Sequence, residues 1–119
     1  MPETRGRYRQ EKPNLFSFSQ KGKNYLFVVG VNKYVHFRQL TNAVKDARDL
    51  IDVLTANYHF EPENIVTLFD EAATRKNIFD KFEYFANKLE KGDNLVIYFS
   101  GHGYLNTRTN IGYWIPLTL

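Results

Sequence analysis

Three short runs of apolar, β-branched and aromatic residues constrain this sequence most, because two amphipathic stretches of helical period separate them. "NYLFVVGV" (Asn24–Val31) is continuously apolar around its one glycine, the pattern of a strand covered on both faces. "IVTLF" (Ile65–Phe69) and "NLVIYFS" (Asn94–Ser100) read the same way. Between the first two runs, Thr41 or Asn42 can cap a helix whose apolar positions Ala43, Ala47, Leu50, Ile51, Leu54 and Tyr58 recur at helical spacing. Pro62 in "FEPEN" ends that pattern. Between the last two runs, Thr74 caps a second helix with the stripe Ile78, Phe82, Phe85, Ala86 and Leu89, closed near Gly92. Strand, helix, strand, helix, strand with short connections predicts an α/β fold, a mostly parallel sheet flanked by helices. "GYWIPL" reads as a fourth, shorter strand. Ligands gather at the carboxyl ends of the strands in such sheets. Three loops qualify: Asn32–Leu40, Asp70–Ala73 and Gly101–Tyr104.

At 119 residues the chain is one domain or part of one, and its apolar fraction of 43% is that of a globular protein. No apolar run approaches the roughly 20 residues that span a bilayer, so no membrane is expected as a partner. The first residues lack the apolar core of a signal peptide, which predicts a cytoplasmic protein. The positive charge is concentrated at the start: residues 1–23 hold Arg5, Arg7, Arg9, Lys12, Lys21 and Lys23 against Glu3 and Glu11. Residues 1–23 therefore read as a basic, flexible leader, and residues 24–119 as the folded domain. Nucleic acid is not expected as a partner, since no basic stripe interleaved with aromatics runs along the folded part. There is no cysteine, which excludes disulfides, thiolate metal sites and a cysteine nucleophile within these residues.

The candidate chemistry centres on "SGHG", Ser100 to Gly103, at the end of the third run. Glycines on both sides of His102 allow close approach of a substrate backbone, and the Gly103 amide can face a developing oxyanion. An imidazole titrates near neutral pH and suits general acid–base work. The same residues also suit a strand-to-loop turn with the histidine bonded locally, and the residues alone leave both readings open. A phosphate cradle fits less well, because the glycines match neither phosphate-loop nor dinucleotide spacing. A serine hydrolase is not expected from Ser100, since no G-x-S-x-G is present. Asp46 and Asp49 suit the N-terminal turns of a helix through its dipole, and Asp46 also suits a charge partner for a basic ligand. His36 and His59 lie in loops without acidic or histidine neighbours at metal-ligand spacing.

The segments "YLFVVGVNKY", "LTNAVKDARDLIDVL", "DEAATRKNIFDKF", "LVIYFSGHGY" and "GYWIPL" together resemble the caspase-like cysteine peptidases, the superfamily of caspases, paracaspases and metacaspases. The likeness is greatest to metacaspase-type and bacterial members and runs from about Asn24 to the end of the sequence. It implies a three-layer caspase-like fold of which these residues form the first half. His102 resembles the dyad histidine, which moves the proton between thiol and leaving amine. Gly103 matches the residue whose amide contributes to the oxyanion hole. Asp46 falls where metacaspases have the acid of the S1 pocket, and Ser100 where a serine lines that pocket, which implies cleavage after Arg or Lys. The arginine by which caspases choose an acidic P1 residue is not evident, Arg38 being a weak candidate, and Ala43 stands where metacaspases often carry a cysteine.

In the caspase pattern the histidine lies about 50 residues before the nucleophilic cysteine, which puts that cysteine beyond Leu119. The acids that bind calcium in metacaspases fall beyond it too, so no cofactor is expected on these residues themselves. The resemblance thus predicts a fragment of a cysteine endopeptidase acting on peptide or protein substrates. Its partner is the cysteine-bearing remainder of the domain or a second chain that carries it. The alternative is a catalytically inactive caspase-like module that acts by binding.

Overall fold

The computed structural model describes residues 22–118. Its centre is β1 (Asn24–Gly30), whose residues from Tyr25 onward are all buried. β1 pairs in parallel with β2 (Ile65–Phe69) on one side, Leu26 opposite Ile65 and Gly30 opposite Phe69. On the other side it pairs in parallel with β3 (Asn94–Ser100), Asn24 opposite Asn94 and Gly30 opposite Ser100. The sheet order is thus β2-β1-β3. Side chains alternate across a strand, so β1 feeds two cores. Leu26 and Val28 meet Ala47 and Leu54 of helix α1 (Ala43–Asn57). Tyr25, Phe27 and Val29 meet Ile78 and Phe85 of helix α2 (Arg75–Lys88). The continuous apolar run of β1 is the consequence of helices covering both its faces. Three layers result, α1, sheet and α2, an α/β arrangement consistent with the first half of a caspase-like fold.

The start of α1 differs from the sequence expectation. Asn42 precedes the helix with φ −121° and ψ 2° and its side chain makes no capping bond. The Oδ1 of Asn32, in the loop after β1, instead accepts the N–H groups of Ala43 at 2.9 Å and Val44 at 3.2 Å. Neither Thr41 nor Asn42 caps α1, because a carboxamide from another part of the chain occupies that place. Thr74 does cap α2, in extended backbone geometry, with its hydroxyl accepting from Asn77 N–H at 3.1 Å. α2 ends at Lys88 with Leu89 extended, so Gly92 is not its C-cap; at φ 95° it shapes the separate turn into β3. Asp93 closes that turn, its two carboxylate oxygens accepting from Lys23 and Glu90 N–H, each at 2.9 Å. These bonds, the Lys23 one foremost, hold the Asp93 carboxyl below its usual pKa.

The strand expected at "GYWIPL" is present over Ile111–Trp114 and forms the second arm of a hairpin outside the parallel sheet. β4 (Gly103–Asn106) and β5 (Ile111–Trp114) pair antiparallel, with Gly103 opposite Trp114. Asn106 organises the tip, its side chain accepting from Arg108 and Thr109 N–H, and Asn110 takes the left-handed φ of 60° that asparagine tolerates. Trp114 stacks on Phe99 of β3 at 4.8 Å with planes 7° apart. The chain then returns to the start of α2, where Leu117 N–H donates to Ala73 O at 2.9 Å.

Among the described residues no strand pairs with the outer edge of β3. β3 is only half-buried, and Ile97 at its middle is 40% exposed, whereas the sequence read it as fully covered. The basic leader expected over residues 1–23 lies, up to residue 21, outside the described residues. No described helix is long and apolar enough to cross a membrane.

Candidate active site

The loops that follow β1 and β3 leave neighbouring parallel strands at their carboxyl ends. The ladder runs one bond further, Val31 N–H to Ser100 O at 3.0 Å, and then the chains part. Asn32 anchors the first loop three ways. Its side chain caps α1, its carbonyl accepts from Leu40 N–H at 2.9 Å, and its own N–H donates to Asp70 Oδ1 at 2.8 Å. Lys33 N–H donates to the same oxygen at 3.1 Å. Asp70 holds this position with φ 48°, a left-handed conformation that short polar side chains adopt more readily than most. The loop over residues 32–40 is therefore tied to the ends of β1, β2 and α1 at once.

His102 meets this loop. Its Nε2 lies 2.6 Å from the carbonyl oxygen of Arg38, and its ring centroid is 4.7 Å from that of Tyr34. A carbonyl only accepts, so Nε2 carries the hydrogen in this bond. In the neutral ring the basic nitrogen is then Nδ1, with the tautomer set by the main chain of the facing loop. The His102 N–H donates to the Tyr34 hydroxyl at 2.9 Å, and that hydroxyl donates to Ile115 O at 2.7 Å. Burial, above all, pushes the Tyr34 phenol above its ordinary pKa; the charge of Asp70 adds to this and the His102 N–H opposes it.

Gly103 opens β4. Ile115 N–H donates to His102 O at 3.0 Å, which makes Gly103 and Trp114 the next, non-hydrogen-bonded pair of the antiparallel ladder. The Gly103 amide therefore points away from β5. A side chain at Gly103 would meet only Tyr113 O, at an ordinary 3.5 Å, so the hairpin itself does not demand glycine there. Gly101 differs: a Cβ would lie 2.5 Å from the Tyr34 hydroxyl oxygen.

The other residues singled out from the sequence stand apart. Ser100 ends β3 half-buried, its carbonyl engaged with Val31. Asp46 lies exposed in the first turn of α1, and among the described residues its carboxylate forms no hydrogen bond or ion pair. Nothing described joins it to Ser100 or His102. Arg38 contributes its carbonyl, not its guanidinium, to the histidine. His59 pairs with Glu61 on the surface at 3.0 Å. Among the described residues no three His, Asp or Glu side chains cluster to hold a metal ion. The sequence reading passed over Tyr34 and Asn32. No local signal marks Tyr34, since Val35, Phe37 and Leu40 share its loop and its contact with Gly101 joins distant parts of the chain.

A concavity of about 730 Å³ opens between α2 and the hairpin. Phe37, Phe79, Phe82, Tyr104, Trp114 and Pro116 line it beside Arg75, and neither His102 nor Asp46 does.

The sequence profile of the caspase domain (peptidase C14) matches residues 23–118. The chain belongs to the caspase domain family. Among its relatives are Metacaspase-1 of Saccharomyces cerevisiae, 26% identical over 109 residues, and Metacaspase-1 of Cryptococcus neoformans, 28% identical over 109 residues. The aligned part is 86% of this chain in both cases, and 25% and 24% of those proteins. Metacaspase-1A of Neurospora crassa is 25% identical over 95 residues, 74% of this chain and 21% of that protein. The chain thus spans about a quarter of the length of these relatives. The family is that of the caspase-like cysteine peptidases, and the relatives named are metacaspases.

Proposed function

We propose that this chain is the histidine-bearing part of a cysteine-type endopeptidase domain that hydrolyses peptide bonds after Arg or Lys once a cysteine-bearing segment completes it. The observation that carries this reading is the bond between His102 Nε2 and Arg38 O, which leaves Nδ1 as the free base at the carboxyl end of β3. In the completed site Nδ1 takes the thiol proton, the thiolate attacks the substrate carbonyl, and Nδ1 then returns the proton to the leaving amine. The outward amide of Gly103 is suited to the oxyanion. Asp46 would supply the negative charge for a basic P1 side chain, with Ser100 in the wall of that pocket. The metacaspase relatives support this assignment, and so does the outer edge of β3, with which no strand pairs among the described residues, since such an edge favours pairing. The 119 residues alone carry no cysteine and are expected to cleave nothing by a thiol mechanism.

The test begins with the coding sequence after codon 119. A D-x-C-like segment within about 40 residues, the spacing of the caspase pattern, supports the endopeptidase. Unrelated sequence after a stop codon supports the alternative, an inactive binding module. The completed protein is then assayed on fluorogenic peptides ending in Arg, Lys or Asp. His102→Ala should remove turnover while the fold persists, and Asp46→Ala should remove cleavage after Arg and Lys. Unchanged turnover in His102→Ala, or cleavage after Asp indifferent to Asp46, would overturn the corresponding assignment.

A further inference from the structure

The base of the β4–β5 hairpin departs from a regular ladder. Residues 102 and 115 face each other as a hydrogen-bonded pair, and such a pair exchanges two main-chain bonds. One is present, from Ile115 N–H to His102 O. In place of the other stands the Tyr34 hydroxyl, which accepts from His102 N–H at 2.9 Å and donates to Ile115 O at 2.7 Å. A side chain from the loop after β1 is thus wedged into the ladder of a hairpin nearly seventy residues later in the chain. Its ring is 1% exposed and packs in the α2-side core, so the wedge is rigid. Gly101 makes room for it, because any Cβ there would collide with the hydroxyl.

We propose that Tyr34 is the positioning residue for His102, its hydroxyl standing in for a main-chain bond so that the imidazole is held against the Arg38 carbonyl. The proposal rests on the reading of His102 as the dyad histidine. The phenol bonds the backbone of residue 102 while its ring packs beside the imidazole at 4.7 Å, nearer than Phe37 at 6.1 Å, so one side chain acts on both the position and the tilt of the ring. With the hydroxyl gone, residues 102 and 115 are left with one main-chain bond, and the His102 amide has no partner. The backbone of residue 102 is then free to rotate, and Nε2 loses its alignment on Arg38.

The test is nuclear magnetic resonance on the ¹⁵N-labelled 119-residue chain, comparing wild type with Tyr34→Phe. In the wild type the ring nitrogens of His102 should report one tautomer, protonated at Nε2. In Tyr34→Phe they should move toward the averaged values of the exposed His36. The His102 amide should exchange with solvent about tenfold faster, the effect of losing one hydrogen bond of ordinary net strength. The amides of Phe27 and Val29 in the core should not change. Unchanged His102 ring signals and amide exchange would overturn the proposal. Should Tyr34→Phe lose the core amides too, Gly101→Ala gives the same reading with the phenol retained, because its Cβ displaces the hydroxyl. His102 signals unmoved in that variant would be equally fatal. In the completed peptidase, Tyr34→Phe should lower kcat with KM within about twofold. Retained turnover in His102→Ala would retract the peptidase reading and leave this geometry standing, whereas unmoved ring signals would retract Tyr34 alone.

Discussion

Replacing Asn32 by alanine should destabilise the protein far more than replacing Asn42, although Asn42 is the residue that adjoins α1. Asn32 Oδ1 accepts two of the N–H groups that a helix start leaves without an intrahelical partner. Loss of a cap to alanine costs about 0.5–2 kcal/mol, typically near 1. Here the higher part of that range applies, because Ala43 is buried and water cannot readily replace the lost acceptor. About 1.5 kcal/mol is expected for Asn32→Ala. Asn42 makes no capping bond, so Asn42→Ala should fall within about 0.5 kcal/mol of wild type. Urea unfolding followed by far-UV circular dichroism reads the difference. With a slope of roughly 1–1.5 kcal/mol per molar for a domain of this size, the Asn32→Ala midpoint should drop by about 1 M with its slope unchanged. Asn32→Asp keeps the acceptor and adds a charge favoured at a helix N-terminus by about 0.3–1 kcal/mol. That charge also stands near the Asp70 carboxylate, which accepts the N–H of the same residue, so the two effects oppose and the variant should lie near wild type. Equal midpoints for Asn32→Ala and Asn42→Ala would refute the reasoning.

Asp93 and Phe99 give two further tests. The Asp93 carboxyl is held below its ordinary value of 3.8, so the stability it contributes is full above that pH and is lost as the pH falls through its lower folded value. The gap in urea midpoint between wild type and Asp93→Asn should therefore be constant near neutral pH and shrink below about pH 4; a gap that stays constant down to pH 2.5 would contradict this. Phe99→Leu removes the ring on which Trp114 stacks, a contact worth about 0.5–1.5 kcal/mol beyond its buried area. Trp114 is the chain's single tryptophan, so its emission should shift to the red in that variant, and unchanged emission would place the indole elsewhere.

What could be read in the sequence was what local pattern determines. β1 declared itself because helices on both faces make every position apolar, and Thr74 because its capping bond is made three residues on. The α1 cap was misread for the opposite reason: its acceptor comes from a loop ten residues upstream, which only the turn of that loop brings into reach. Of the hairpin, β5 was read at "GYWIPL", whereas β4 and the antiparallel pairing escaped because β4 is four residues long and largely exposed, leaving little alternation to detect. β3 looked like a central strand because its composition is that of one, while Ile97 is exposed and no strand among the described residues pairs with its outer edge. In the candidate site, His102 was singled out from its flanking glycines and the family resemblance, and the structure sets it against the Arg38 carbonyl and the Tyr34 ring. Tyr34 was not singled out, since its role depends on the absent Cβ of Gly101, a contact between distant parts of the chain.

The sheet order also dictates an order of assembly. β1 is the first of the described strands to be made and occupies the middle of the sheet, yet its partner β3 lies seventy positions later, residue for residue from Asn24 and Asn94 to Gly30 and Ser100. During synthesis β1 can dock on β2 while its other margin, among the most apolar stretches of the chain, waits for the ribosome to deliver β3. Such long-range closure is slow relative to local helix formation. A nascent chain that has made residues 24–31 but not yet β3 is therefore expected to offer a target to a chaperone that grips extended apolar segments.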